Sequence, residues 1–353
     1  MATTPLAPAA VSQRGTAWLQ QLRIAARRPG DFLFRGTTYL FVSVAVLTVL
    51  GIAWVLVSNS WDTLTAFGFS FLTNSAFDPV HNTFGVGPAI FGTLITSLVG
   101  MVLAVPLAIG TAIFLVDFCP RSLRGPLAFL VDTIAAIPSI VIGLWGFLVL
   151  VPWLHLTSEP WLQRYFGFLP IFQGTANGFG ILAAGIVLTI MILPIITAIT
   201  REVMLVVPVA QREALLALGA TRWEVIRHAV LPFAQVGIAG GAILGLGRAL
   251  GETIAVTLVI GNQASKPSLS VFNTGYTLSS VIANQFGEAT PGTFRSAVIE
   301  AGLILLILTL LTNIAARVLI AQFERGHHVN RPAKKLPAPG PADGAVAAKG
   351  GAA

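Results

Sequence analysis

Six apolar runs, at 38–57, 89–118, 127–151, 179–200, 233–260 and 296–320, are each about as long as a bilayer is thick. At a rise of about 1.5 Å per residue, some 20 residues traverse the hydrocarbon core. No water reaches backbone N–H and C=O groups there, so each run must satisfy its own, which a continuous α-helix does. The runs therefore predict an all-α membrane protein with six transmembrane helices. Composition agrees: 55% of residues are hydrophobic and only 10% charged, against about a quarter charged in soluble domains. The first run has neither the short core nor the small-x-small exit of a signal peptide, since Ser58-Asn59-Ser60-Trp61 follows it, and it is expected to remain as a helix. The one cysteine, Cys119, excludes an intramolecular disulfide.

Charge sets the expected orientation. Arg14, Arg23, Arg27, Arg28 and Arg35 precede the first run. Arg121 and Arg124 follow the second, Arg201, Arg212, Arg222 and Arg227 lie between the fourth and fifth, and Arg317, Arg325, Arg331, Lys334, Lys335 and Lys349 end the chain. Only Arg164, Lys266 and Arg295 fall on the other side. The positive-inside rule then places both termini in the cytoplasm. The net charge of +7 follows from this asymmetry and does not indicate a nucleic-acid partner. Residues 1–37 are expected to form a cytoplasmic tail, 38–325 a six-helix domain, and 326–353, made largely of Pro, Ala, Gly and Lys, a disordered cytoplasmic tail. The external stretches 58–88 and 262–293 are polar. Residues 152–178, with Trp153, Trp161, Tyr165, Phe166 and Phe168, read as an interfacial segment. Pro106, Pro138 and Pro194 are expected to kink their spans.

Enzyme signatures are missing. No phosphate-binding loop is present, and Gly245-Leu246-Gly247 fails the dinucleotide pattern because Leu250 stands where a third glycine belongs. The five histidines have no partner at metal-ligand spacing, and no serine sits in a nucleophile elbow. No catalytic residue, bound cofactor or metal is expected, and the chain should not bind ATP itself.

The informative stretch is 201–262. Glu213-Ala214-Leu215, then Gly219, then Leu231-Pro232 read as two short helices broken at Gly219-Ala220. Thr221 with Glu224 forms a capping box that restarts the chain as a helix bearing Trp223. The following span carries Gly237, Gly241 and Gly245, then Gly247 and Gly251, at four-residue spacing, a stripe that lets another helix approach closely. Arg248 and Glu252, four apart, fall on one face of that span.

The loop resembles the EAA loop of ABC importer permeases, with Leu215 in place of the usual second alanine and Ala229 where isoleucine is common. The longer match, Arg212 to His228, then Gly247-Arg248-Ala249-Leu250-Gly251-Glu252-Thr253 and Val259-Ile260-Gly261-Asn262, is similar to the phosphate-specific branch of the binding-protein-dependent type I ABC permease family. The resemblance implies the type I importer permease fold and a coupling helix in 201–232 that docks on a separate ATPase. It assigns Glu213, Ala214, Gly219, Trp223, Leu231 and Pro232 to that coupling loop. It also implies a heterodimer with the sister permease PstA, a dimer of the ATPase PstB that binds ATP with magnesium, and the external phosphate-binding protein PstS. Another oxyanion, such as sulfate or molybdate, fits the same architecture. An ATP-independent channel or secondary transporter would leave the loop without a role.

Arg248 is fifteen residues beyond Phe233, so about 22 Å along the helix. A guanidinium at that depth presents a planar fork of donors to a phosphate oxygen pair. Glu252, one turn further out, is expected to neutralise it when no anion is present; the competing reading is a fixed ion pair that only packs helices. Glu300, Asp132 and Asp117 are weaker candidates near the interfaces.

Overall fold

A computed structural model describes residues 29–263 and 270–328, and their regular elements are helices. Those longer than four residues are α1 (Pro29–Asn59), α2 (Trp61–Phe67), α3 (Gly87–Phe118), α4 (Arg121–Ala136), α5 (Ser139–Phe166), α6 (Ile181–Leu205), α7 (Val209–Ala217), α8 (Arg222–Gly251), α9 (Ile254–Val259), α10 (Leu278–Gln285) and α11 (Thr293–His328). Six of them, α1, α3, α5, α6, α8 and α11, are long and apolar enough to cross a membrane. Lys266 and the parts of the expected tails at 1–28 and 329–353 lie outside the described residues.

Two spans differ from expectation. The third is displaced: 127–151 is not one helix with a kink at Pro138 but two helices with a break before it. Proline disfavours the α conformation in the residue it follows, and Ile137 is extended with ψ 127°. The chain restarts at Ser139 and stays helical to Phe166, so most of the segment expected at the interface is the C-terminal end of α5. Pro152 does not stop that helix because it lies between two widened π turns, Gly146–Leu150 and Leu154–Ser158, where the regular i−4 bond is already given up. The fifth span begins earlier, inside the loop at Arg222, and ends at Gly251. Glu252 is extended, and a short α9 follows.

The chain divides into two compact units. In the first, residues up to 87 with 284–304, Ser296 joins α11 to the end of α1: its hydroxyl donates to the Asn59 carbonyl at 2.9 Å and accepts from the Thr63 amide at 3.2 Å. Phe84 stacks on Phe294 beside it, with ring centroids 5.8 Å apart. From Leu33 to Asn59 α1 is largely exposed, an apolar surface suited to lipid or to another subunit.

The second unit, 88–283 with 305 onward, has its core between α3, α5, α6, α8 and α9. Ala104, Ala108, Ala183, Ala184, Ala249 and Ala255 are fully or nearly fully buried there, with Val187, Leu188, Ile192 and Val259 filling the spaces between them. Without a hydrophobic force between helices in lipid, small residues that permit close backbone approach take over the task of packing. The glycine stripe of α8 illustrates this and then stops. A Cβ at Gly245 would lie 2.8 Å from Ile196 Cδ1 and one at Gly241 3.3 Å from Ile199, while Gly237 lies against Val203, all on α6. Gly251 faces open space, and Gly247 has only the Asn313 side chain at 3.8 Å. The expected stripe of five is thus a packing stripe of three.

Outside this core, one row of α5 holds the following loop. His155 Nδ1 meets the Ala176 carbonyl at 2.8 Å, the Glu159 carboxylate accepts from the Gly178 amide at 2.8 Å, and Gln163 donates to the Gly174 carbonyl at 2.7 Å. Their four-residue spacing sets them one above another on the helix.

Candidate coupling loop and translocation path

The loop folds as its residues dictate. After α7, Gly219 adopts φ +83°, a left-handed conformation that glycine reaches without a Cβ clash. The Ala220 amide then donates to the Leu215 carbonyl at 3.0 Å, closing the end of α7. Thr221 restarts the chain with the expected capping box: its hydroxyl accepts from the Glu224 amide at 3.3 Å, and the Glu224 carboxylate accepts from the Thr221 amide at 2.7 Å.

The two halves of the loop are held differently. Val225, Ile226 and Val230 are buried against Ala112, Ile113 and Val116 of α3 and Met204 of α6, so the second half is fixed by apolar packing. Helix α7 buries no residue. It is held by Leu215 at the edge of that cluster and by Arg212, whose Nη1 donates to Asp117 Oδ1 and whose Nη2 donates to the Met204 carbonyl at 2.8 Å. Glu213, Ala214, Gly219 and Trp223 all lie on the outward surface of the loop. Leu231 and Pro232 sit apart from them on the flank of α8, where with Val105 and Ile238 they line an apolar cleft of about 590 Å³.

The break after Gly251 separates the other two candidates. Arg248 lies exposed on the last turn of α8, and among the described residues no hydrogen bond or ion pair engages it. Glu252 is 8% exposed. Its ψ of 127° carries the chain out of the helix, so the side chain no longer stands one turn above Arg248. Its Oε1 accepts instead from the Ala255 amide at 3.5 Å, at the start of α9, and its carbonyl accepts from Ser279 Oγ at 2.8 Å. The expected neutralisation of Arg248 by Glu252 does not form, because the helix that would have aligned them ends between them.

Around Ser279 is a set of buried hydroxyls that sequence reasoning missed. Thr277, Ser279 and Ser280 are buried at the start of α10 and bond one another, and the Leu278 amide donates to Thr93 Oγ1 on α3 at 2.9 Å. Nothing local in the polar stretch 262–293 marks these serines out; only the fold brings them to the break. Of the weaker acidic candidates, Asp117 pairs with Arg212, and Asp132 lies 3.6 Å from Arg201. Glu300 is buried in α11, and its Oε2 has no hydrogen-bond partner among the described residues. Among the described residues no three His, Cys, Asp or Glu side chains gather in a way that could hold a metal ion.

Comparisons with known proteins agree with this architecture. Residues 104–325 match the family described as the binding-protein-dependent transport system inner membrane component. The phosphate transport system permease protein PstC of Mesorhizobium japonicum is 43% identical over 298 residues, covering 83% of this chain and 91% of that protein. The PstC of Pasteurella multocida is 43% identical, covering 84% and 93%, and PstC 2 of Mycobacterium tuberculosis is 42% identical, covering 83% and 92%. A crystal structure of a bacterial alginate ABC transporter with its alginate pentasaccharide-bound periplasmic protein contains a chain that matches with a TM-score of 0.54 at 16% identity, covering 83% of this chain and 96% of that one, a likeness of fold. With six helices able to span a membrane and these relatives, the chain belongs to the binding-protein-dependent transport system inner membrane component family, among its PstC permeases, and is a multi-pass permease subunit of the bacterial inner membrane.

Proposed function

We propose that this chain forms one half of the translocation path of an ATP-driven importer of inorganic phosphate. The substrate follows from the PstC relatives, which match over most of the chain. The observation that carries the path is Arg248, a guanidinium on an apolar span with no hydrogen-bond or ion-pair partner among the described residues. A charge so placed is costly unless something outside the chain meets it. A phosphate oxygen pair suits the planar fork of donors. Glu252, buried at the break, adds an acidic side chain that keeps the anion from binding too tightly to leave.

The partners follow from the same reading. PstA supplies the second half of the path, PstS delivers phosphate from outside, and a PstB dimer with ATP and magnesium docks on the surface made by Glu213, Ala214, Gly219 and Trp223. Leu231 and Pro232 carry movement from that surface into α8. Both termini lie in the cytoplasm, on the side of the loop. Closure of the ATPase pair pulls on α7, and the two permeases rock between inward- and outward-facing states. Arg248 alone would suit sulfate or molybdate as well, so the relatives, not the arginine, decide for phosphate.

Two measurements test this. The chain, affinity-tagged and co-expressed with its neighbours, is expected to retain an ATPase through purification; a channel or secondary transporter would not. Uptake of labelled phosphate into vesicles holding the complex is expected to require ATP and to resist excess sulfate. Displacement by sulfate would move the assignment to another oxyanion.

A further inference from the structure

We propose that Arg212 and Asp117 form the pin through which force on α7 enters the membrane-embedded helices, and this rests on the reading above that an ATPase acts on α7. Three observations converge on it. First, α7 buries no residue, whereas the loop's second half is packed into the α3 and α6 cluster. A displacement applied to the outward side of α7 therefore has few routes inward. Second, one guanidinium ties α7 to both helices that flank it: to Asp117 in the last turn of α3, and to the Met204 carbonyl in the last turn of α6 at 2.8 Å. A cation at a helix C-terminus also meets the negative end of the helix dipole. Third, among the described residues Arg212 is the one side chain bonded to Asp117. Its Oδ2 has no hydrogen-bond partner among the described residues, and the nearby Arg124 donates through Nη2 to the Val116 carbonyl at 2.6 Å, not to Asp117.

The place where the pin meets α3 is suited to movement. Asp117 lies within Phe114–Phe118, a widened π turn, a form of helix whose weaker bonding often marks a site of adjustment. Arg212 and Asp117 are 21% and 13% exposed, so water competes little with their attraction. Arg201 and Asp132, 3.6 Å apart, tie α6 to α4 nearby, but they do not involve α7. Arg212 and Asp117 are positioning residues: neither touches nucleotide or anion in this account.

The test uses the whole complex in vesicles and reads two rates together, labelled phosphate taken up and ADP formed. Asp117→Asn and Arg212→Gln are each expected to assemble and to hydrolyse ATP within about twofold of wild type, while the phosphate moved per ATP falls roughly tenfold, within the range usual for coupling between sites. The reversed pair, Asp117→Arg with Arg212→Asp, is expected to recover most of the ratio. Single variants at the wild-type ratio would overturn the pin. If the single variants fail to assemble, the reversed pair decides: assembly with coupling supports the pin, and the same failure overturns it. A wild-type complex that hydrolyses ATP but moves no phosphate would contradict the importer reading instead; the pin would then be judged by whether the transported anion's stimulation of ATP hydrolysis is lost in the single variants.

Discussion

The Ser279 hydroxyl donates to the main-chain carbonyl of Glu252 at 2.8 Å, across 27 residues of sequence. It answers a carbonyl that the break after Gly251 leaves without a helical partner, and so allows α8 to end inside the apolar region. Removing the donor strands a buried acceptor, which costs about 1–3 kcal/mol. Ser279→Ala is therefore expected to lower the thermal midpoint of the purified complex, whereas Thr48→Ala, which loses a hydroxyl bonded to Val44 on the exposed surface of α1, is expected to leave it unchanged. Equal midpoints for the two variants would show that Ser279 does not hold the break.

The division of the glycine stripe gives a second expectation. A side chain at Gly245 must displace Ile196, whereas one at Gly251 meets nothing within 4 Å. Gly245→Val should destabilise by about 1–3 kcal/mol through overpacking, which for a chain of this size is a fall of several degrees in the midpoint. Gly251→Ala should be nearly silent in the same assay. A large loss at Gly251 would mean that the sister subunit packs against that part of α8.

In the loop, the cap and the turn should separate stability from coupling. Thr221→Ala removes the capping acceptor and is expected to cost about 1 kcal/mol, seen as faster amide exchange over residues 222–225. Gly219→Pro attacks the left-handed turn itself, since the ring fixes φ near −65° where the chain needs +83°. It and Trp223→Ala are expected to leave ATP hydrolysis running while phosphate uptake falls at least about tenfold. Normal uptake in Gly219→Pro would rule out this turn as part of the coupling surface.

The number and approximate places of the spans were legible in the sequence, because nothing but helix satisfies twenty apolar residues in lipid. The capping box at Thr221 and Glu224 was legible for a similar reason: both partners are local. Prolines and distant groups account for the rest. Pro138 reads as a kink, yet it breaks the chain, with Ile137 before it extended, and Pro152 reads as outside the span although it lies between two widened turns. The pairing of Arg248 with Glu252 was inferred from an unbroken helix; Ser279, remote in sequence, stabilises the break that separates them. Arg212 and Asp117 were each visible as charges, but only the packing of α7 between α3 and α6 makes them a pair.

The most direct test of the translocation path is uptake of labelled phosphate into vesicles holding the complex, with wild-type and Arg248→Ala permeases side by side and ATP hydrolysis followed in both. Arg248 is exposed and has no hydrogen-bond or ion-pair partner among the described residues, so its loss should leave assembly intact. The variant is expected to hydrolyse ATP yet to take up phosphate at least about tenfold more slowly, as removal of one charge-assisted contact of about 1.5–3 kcal/mol implies. Phosphate entering the variant's vesicles at the wild-type rate would contradict it.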